Sequence, residues 1–270
     1  MFIPKVIVSK VYPKKNETPK DCNDRIEHNL SNYRFCVADG ATRSFYSSIW
    51  AALLVKYFCS QKFDNKILFK KKDWKKWLIP IQKKWRKIVK ERVAKNNKYF
   101  LVNRLNQRES AVSTFAGLEF HNKKGFLSWQ AMIIGDTCLF HIKSNQSGTY
   151  SIERHLLKDA SQFDSFPDFF ASYEKDNRYE PTFLKGKCHS GDYFVIATDA
   201  LSQWIMSYLD INKLFPLPTL RKISKKTLEE LRENKDVKLE NDDVAIIVIK
   251  IQDVDTSPAG QIEKTHQEKL

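Results

Sequence analysis

The chain has 270 residues, 42% of them apolar and 13% aromatic, enough to bury a sizeable core in one large domain or two small ones. Its 46 Lys and Arg against 32 Asp and Glu give a net charge of +14, which bears on solubility and anionic partners rather than on fold. No run of about eighteen apolar residues is present to span a membrane. Five widely spaced cysteines (Cys22, Cys36, Cys59, Cys138 and Cys188) without a Cys-x-x-Cys argue against a disulfide framework or a zinc site.

In chain order, Phe2–Val8 reads as the first strand. The start, Met1-Phe2-Ile3-Pro4-Lys5, lacks a signal-peptide layout, so a cytoplasmic protein with reduced thiols is expected. Tyr33–Ala38 reads as the next strand, an apolar run that stops on Asp39-Gly40. Thr42 or Ser44 then stands where a helix cap is needed. Phe45–Phe58 has apolar residues at helical spacing nearly all round, which predicts a largely covered helix. A second helix is predicted from Asp73 to about Ala94. Trp74, Trp77, Leu78, Ile81, Trp85, Ile88 and Val89 form one stripe of it, and Pro80 is expected to kink or divide it.

Strands follow at Val112–Phe120, Leu127–Ile134, Thr137–Ile142, Tyr150–Arg154 and Tyr193–Thr198, mostly on short polar turns. Thr227–Leu231 is a short charged helical pattern, and Val244–Ile251 is the last strand. Turn-length connections predict antiparallel sheets rather than βαβ units. The result is an α+β protein with helices on the outer faces of antiparallel sheets, occupying residues 1–251. The polar tail, 252–270, reads as disordered.

The second helix is also the most basic stretch. Lys70-Lys71-Lys72, Lys75-Lys76, Lys83-Lys84, Arg86-Lys87, Lys90, Arg92 and Lys95 interleave with Trp74, Trp77 and Trp85. Such a mixture suits nucleic acid, where rings stack on bases, or an anionic membrane surface. The tryptophans sit at helical spacing, so the favoured reading turns them to a sheet and leaves the lysines as a solvated face. Docking of acidic protein partners is the next reading, and no specific nucleic-acid binding is expected.

Asp-Gly at the end of one strand is ordinary turn chemistry. Here the pattern recurs. Asp136 ends Met132–Gly135, Asp199 ends Tyr193–Thr198, Asp242-Asp243 precede Val244, and Asp24 precedes the strand that leads to Asp39. Converging carboxylates repel one another and are costly to bury. A hard divalent cation, Mg²⁺ or Mn²⁺, is the usual remedy. Spacing alone leaves turn and metal ligand both open.

The ordered set Asn23-Asp24, Val37-Ala38-Asp39-Gly40, Ser113-Thr114, Ile134-Gly135-Asp136, Ala197-Thr198-Asp199 and Asp242-Asp243 resembles the signature series of the metal-dependent type 2C protein phosphatases. The bacterial branch is nearest, through "ADGA…S…WA..LV" from Ala38 to Val55. The resemblance covers roughly residues 1–251 and implies a four-layer α/β/β/α sandwich with two core Mg²⁺ or Mn²⁺ ions at one edge. It further implies a phosphorylated Ser/Thr protein as substrate; a monomer is expected. By position, Asp39 matches the bridging carboxylate and Gly40 the residue whose carbonyl joins it. Asp199 and Asp242 match the remaining core ligands, Asp136 a ligand of a third ion, and Asp24 the acid that supports the metal waters. Ser113-Thr114 is taken as structural.

The chain also departs from that series. Asn23 replaces a Glu, Ala41 stands where some eukaryotic members carry a general-acid His, and Ala200 replaces a Gly. The phosphate-gripping Arg expected upstream of Asp24 is absent; Lys20 is the nearest cation, and Arg25 is a substitute on the other side. Lys lacks the bidentate fork of Arg. All core ligands are nonetheless present, which favours an active phosphatase over the alternative, a catalytically weak phosphatase-like regulatory module.

Overall fold

The computed structural model describes residues 2–60, 69–71, 73–123, 126–144, 150–155, 157, 159–163 and 167–253. Among the described residues, eleven strands form two antiparallel sheets. The first has the order β1(Phe2–Tyr12), β11(Val244–Asp253), β10(Tyr193–Ala197), β6(Cys138–Ser144), β7(Tyr150–His155). The second has the order β2(Arg25–Asn29), β3(Arg34–Gly40), β4(Val112–Lys123), β5(Phe126–Ile134), β9(Thr182–Cys188), with the two-residue β8(Phe170–Ala171) on the start of β4.

Strand alternation builds the layers. Ala245, Ile247, Ile249 and Ile251 of β11 meet Phe35, Val37, Ala116, Leu118 and Phe120 of the other sheet in an apolar layer between the sheets. The alternate residues of β11, Val244, Ile246 and Val248, face outward against Leu201, Trp204 and Ile205 of a helix over Asp199–Asn212. On the far side, Cys36, Ala38 and Phe115 lie under α1(Ser47–Cys59) and α2(Trp74–Asn96). The four-layer α/β/β/α sandwich expected from the sequence is therefore the observed architecture. The remaining α-helices among the described residues are α3(Tyr99–Asn106), α4(Asp199–Asn212), α5(Leu217–Arg221) and α6(Lys225–Glu233).

Two local expectations are corrected. Neither Thr42 nor Ser44 caps α1, which starts from Tyr46 in a left-handed conformation with no side-chain cap. The Ser44 hydroxyl is used elsewhere, donating to the Ala41 carbonyl and accepting from the Val112 N–H. Pro80 does not divide α2, which runs unbroken across it. The Trp stripe does turn inward: Trp74, Trp77 and Trp85 are buried, while Lys75, Lys76, Lys83, Lys84, Lys87, Lys90, Arg92 and Lys95 are exposed. Those rings are closed to stacking on bases. The tail from residue 254 onward lies outside the described residues, as does Lys72. No helix among the described residues is long and apolar enough to cross a membrane. All five cysteines are buried thiols.

Candidate active site

Strand register determines where the aspartates fall. Gly40 at the end of β3 pairs with Ser113 near the start of β4, and Phe115 pairs with Ile134 at the end of β5. Residues 135–137 then cross to the other sheet. There Cys138, first in β6, pairs with Ala197 at the end of β10, and Ala197 also pairs with Ile246 near the start of β11. Arg25, first in β2, pairs with Ala38. Every segment that carries a singled-out Asp thus reaches the same edge of the sandwich. Asp24, Asp39, Asp136, Asp199, Asp242 and Asp243 all line one open cavity of about 790 Å³ there.

Each carboxylate has a local reason for its place. In β3, Phe35 and Val37 point into the layer between the sheets, so Asp39 continues that row out to the edge. Gly40 is favoured by packing. A Cβ there would stand 3.0 Å from the Ser47 backbone and 3.2 Å from the Asn23 carbonyl oxygen. Gly135 has φ +82° and a Cβ on it would fall 2.4 Å from the Asp168 carbonyl oxygen, so only glycine makes the turn that presents Asp136. Asp199 is the first residue of α4, and its Oδ1 accepts from the Ala200 N–H at 2.6 Å. Asp242 is held through its carbonyl, which accepts from Arg232 Nη2 at 2.8 Å. Asp243 is a fastener: its two oxygens accept from the Lys14 N–H (3.0 Å) and the Asn23 N–H (2.8 Å), tying the connection before β2 to the start of β11.

The cluster is electrostatically strained. Burial, then the neighbouring charges of Asp39 and Asp199, hold the Asp24 carboxyl well above its ordinary range. Burial and the charge of Asp39 do the same to Asp199. Burial and Asp136 push Asp39 up to about 7, while a hydrogen bond with Asp24 acts the other way. Asp24 is 1% exposed, and its Oδ2 takes no hydrogen bond among the described residues. Nor, among the described residues, do any three carboxylate, imidazole or thiol groups already stand as a closed ligand sphere.

The two candidate phosphate cations are not in the cavity wall. Lys20 is exposed, and the Arg25 guanidinium is occupied by the carbonyls of Cys22 (2.8 Å) and Asp24 (2.6 Å). The wall instead includes Thr42 and Ser44, to which sequence reading assigned only a capping role, and Arg43, Phe169 and Tyr179, which nothing in the sequence marked. They come from loops, whose placement no periodicity encodes. Phe169 and Tyr179 pack edge to face at 5.5 Å. Ser113 and Thr114 also line the cavity, and Thr114 shares a hydroxyl hydrogen bond of 2.6 Å with Thr137. Ala200 is buried against the outer face of the first sheet rather than crowding the cavity.

No protein-family model and no curated relative matches the sequence. Solved structures do. The catalytic domain of a serine/threonine phosphatase in complex with two manganese ions aligns over 94% of this chain and 100% of its own, at 11% identity and TM-score 0.51. A serine/threonine phosphatase from Staphylococcus aureus aligns over 94% of this chain and 96% of its own, at 13% identity and TM-score 0.54. A regulatory component of a secretion system in Pseudomonas aeruginosa aligns over 92% and 98%, at 10% identity and TM-score 0.56. At these identities the likeness is one of fold.

Proposed function

Starting from a fold shared with bacterial type 2C serine/threonine phosphatases, we propose that this chain is a metal-dependent phosphatase acting on phosphorylated Ser or Thr in proteins. One observation carries the reading: six aspartates from five separate segments line a single cavity. The donor set fits Mg²⁺ or Mn²⁺, because every side chain offered is a hard oxygen. Carboxyls held above their usual range, and a buried Asp24 oxygen without a hydrogen bond, are the condition a divalent cation relieves.

Asp39, Asp199 and Asp242, with the Gly40 carbonyl, would hold two core ions, and Asp136 a third. When bound, such ions neutralise phosphoryl oxygens and lower the pKa of a water for direct attack on phosphorus. The chain's own part is placement. Strand ends fix Asp39 and Asp199, the Gly135 turn presents Asp136, and the Asp243 and Arg232 contacts hold the Asp242 loop. Asp24, the most buried of the six, stands beside Asp39 and Asp199 as a proton-holding group.

Assay on a phosphopeptide panel with Mn²⁺, Mg²⁺ or EDTA tests this. Turnover is expected with either cation and none with EDTA. The alternative, a silent phosphatase-like binding module, is favoured by the absence of Lys20 and Arg25 from the cavity wall. It predicts phosphopeptide binding with no turnover under any metal.

A further inference from the structure

Among the described residues the wall of the acidic cavity has one basic residue, Arg43, and its guanidinium forms no ion pair or hydrogen bond. Its backbone, by contrast, is fixed on every side. Ala41 to Ser44 is a tight turn closed by the Ser44 N–H on the Ala41 carbonyl at 2.9 Å. The turn is pinned to β4 by the Ala41 N–H on the Val112 carbonyl (3.1 Å) and by the Val112 N–H on the Ser44 hydroxyl (3.1 Å). Arg104 Nη2 donates to the Arg43 carbonyl at 3.2 Å. Arg104 is itself held over the Phe45 ring, 4.8 Å from its centroid, and paired with Glu109.

Arg43 is exposed, and its fixed stem carries the unpaired guanidinium at the wall of the acidic cavity, open to an incoming anion. The fork of an Arg matches two oxygens of a phosphoryl group, and its charge persists at any physiological pH. We infer that Arg43 is the cation that binds the phosphoryl group of a phosphomonoester in this cavity, with Arg104 as its positioning residue. The inference rests on the phosphatase reading for the identity of the anion. It puts the clamp on the turn after β3 rather than upstream of Asp24, and so accounts for a chain whose Lys20 and Arg25 do not line the cavity.

Calorimetry with inorganic phosphate on the Mg²⁺-loaded protein tests it, beside p-nitrophenyl phosphate kinetics and Mn²⁺ titration followed by electron paramagnetic resonance. Arg43→Ala should weaken phosphate binding and raise KM about tenfold or more, the usual cost of losing a charged hydrogen-bond donor. Mn²⁺ affinity should stay within about twofold of wild type, because Arg43 is not a ligand. Arg43→Lys should recover part of the loss and Lys20→Ala should cause none. The inference is overturned if Arg43→Ala binds phosphate as wild type does, if Lys20→Ala reproduces the loss, or if the wild type binds no phosphate. Phosphate binding lost with Arg43 in a protein that hydrolyses nothing would sustain the clamp while rejecting the hydrolase.

Discussion

Replacing Asp39 by Asn should stabilise the metal-free protein at neutral to alkaline pH. Burial and the Asp136 charge raise the Asp39 carboxyl to about 7, against 3.8 for the group in an unstructured chain. A raised pKa means that the folded chain holds a proton the unfolded chain has released. Metal-free stability is therefore fullest below about pH 4 and falls as pH rises through about 7. About three units at 1.36 kcal/mol each sets a ceiling of about 4 kcal/mol. Asp39 is only partly buried and the cavity is open to water, so about 2 kcal/mol is expected. Asn carries no charge at any of these pH values. Urea unfolding in EDTA should show Asp39→Asn more stable by about 2 kcal/mol at pH 8, with the gap closing toward pH 4. Saturating Mn²⁺ should reverse the order, since about 2.7 kcal/mol accrues to the wild type at a hundredfold excess over Kd. A variant less stable than wild type at pH 8 in EDTA, or a gap that ignores pH, would refute the electrostatic argument.

Two further outcomes follow from the same geometry. Gly135→Ala places a Cβ 2.4 Å from the Asp168 carbonyl oxygen at φ +82°, so denaturant unfolding should show a loss of about 2–3 kcal/mol and turnover should fall as Asp136 is displaced. Neutralising Lys71, Lys75 and Lys83 to Gln should leave Tm and p-nitrophenyl phosphate turnover near wild type, because these side chains are exposed and the Lys71–Glu180 pair is a surface one. A selective loss on an acidic phosphopeptide that shrinks as salt rises would instead reveal docking through that face.

Much of the sandwich was legible in the sequence because strand alternation repeats without ambiguity. Val244–Ile249 is buried on both faces, and its two residue sets feed two different apolar layers. β2 and β9 escaped notice. β2 is a short stretch of polar residues, and β9 carries Lys185, Gly186 and Lys187 at a sheet edge, so neither has the apolar content that marks a strand. α4 was not evident in the sequence because its first residue, Asp199, also closes the apolar run of the preceding strand. The aspartates stood out because an Asp at a strand end recurs in a readable order. Arg43 did not, since its relevance comes from a turn pinned by Ser44, Val112 and Arg104, two of them more than 60 positions along the chain. The Ser44 hydroxyl taught the same lesson in reverse: a plausible helix cap was taken by a neighbouring strand.

The central claim is that the acidic edge exists to hold divalent cations. Equilibrium Mn²⁺ titration followed by electron paramagnetic resonance, on wild type and Asp199→Asn, addresses it without requiring any substrate. The account predicts at least two Mn²⁺ ions on the wild type and loss of one or both from Asp199→Asn, with the variant's circular dichroism unchanged. No bound Mn²⁺ on the wild type at millimolar concentration, or equal binding by the variant, would contradict it.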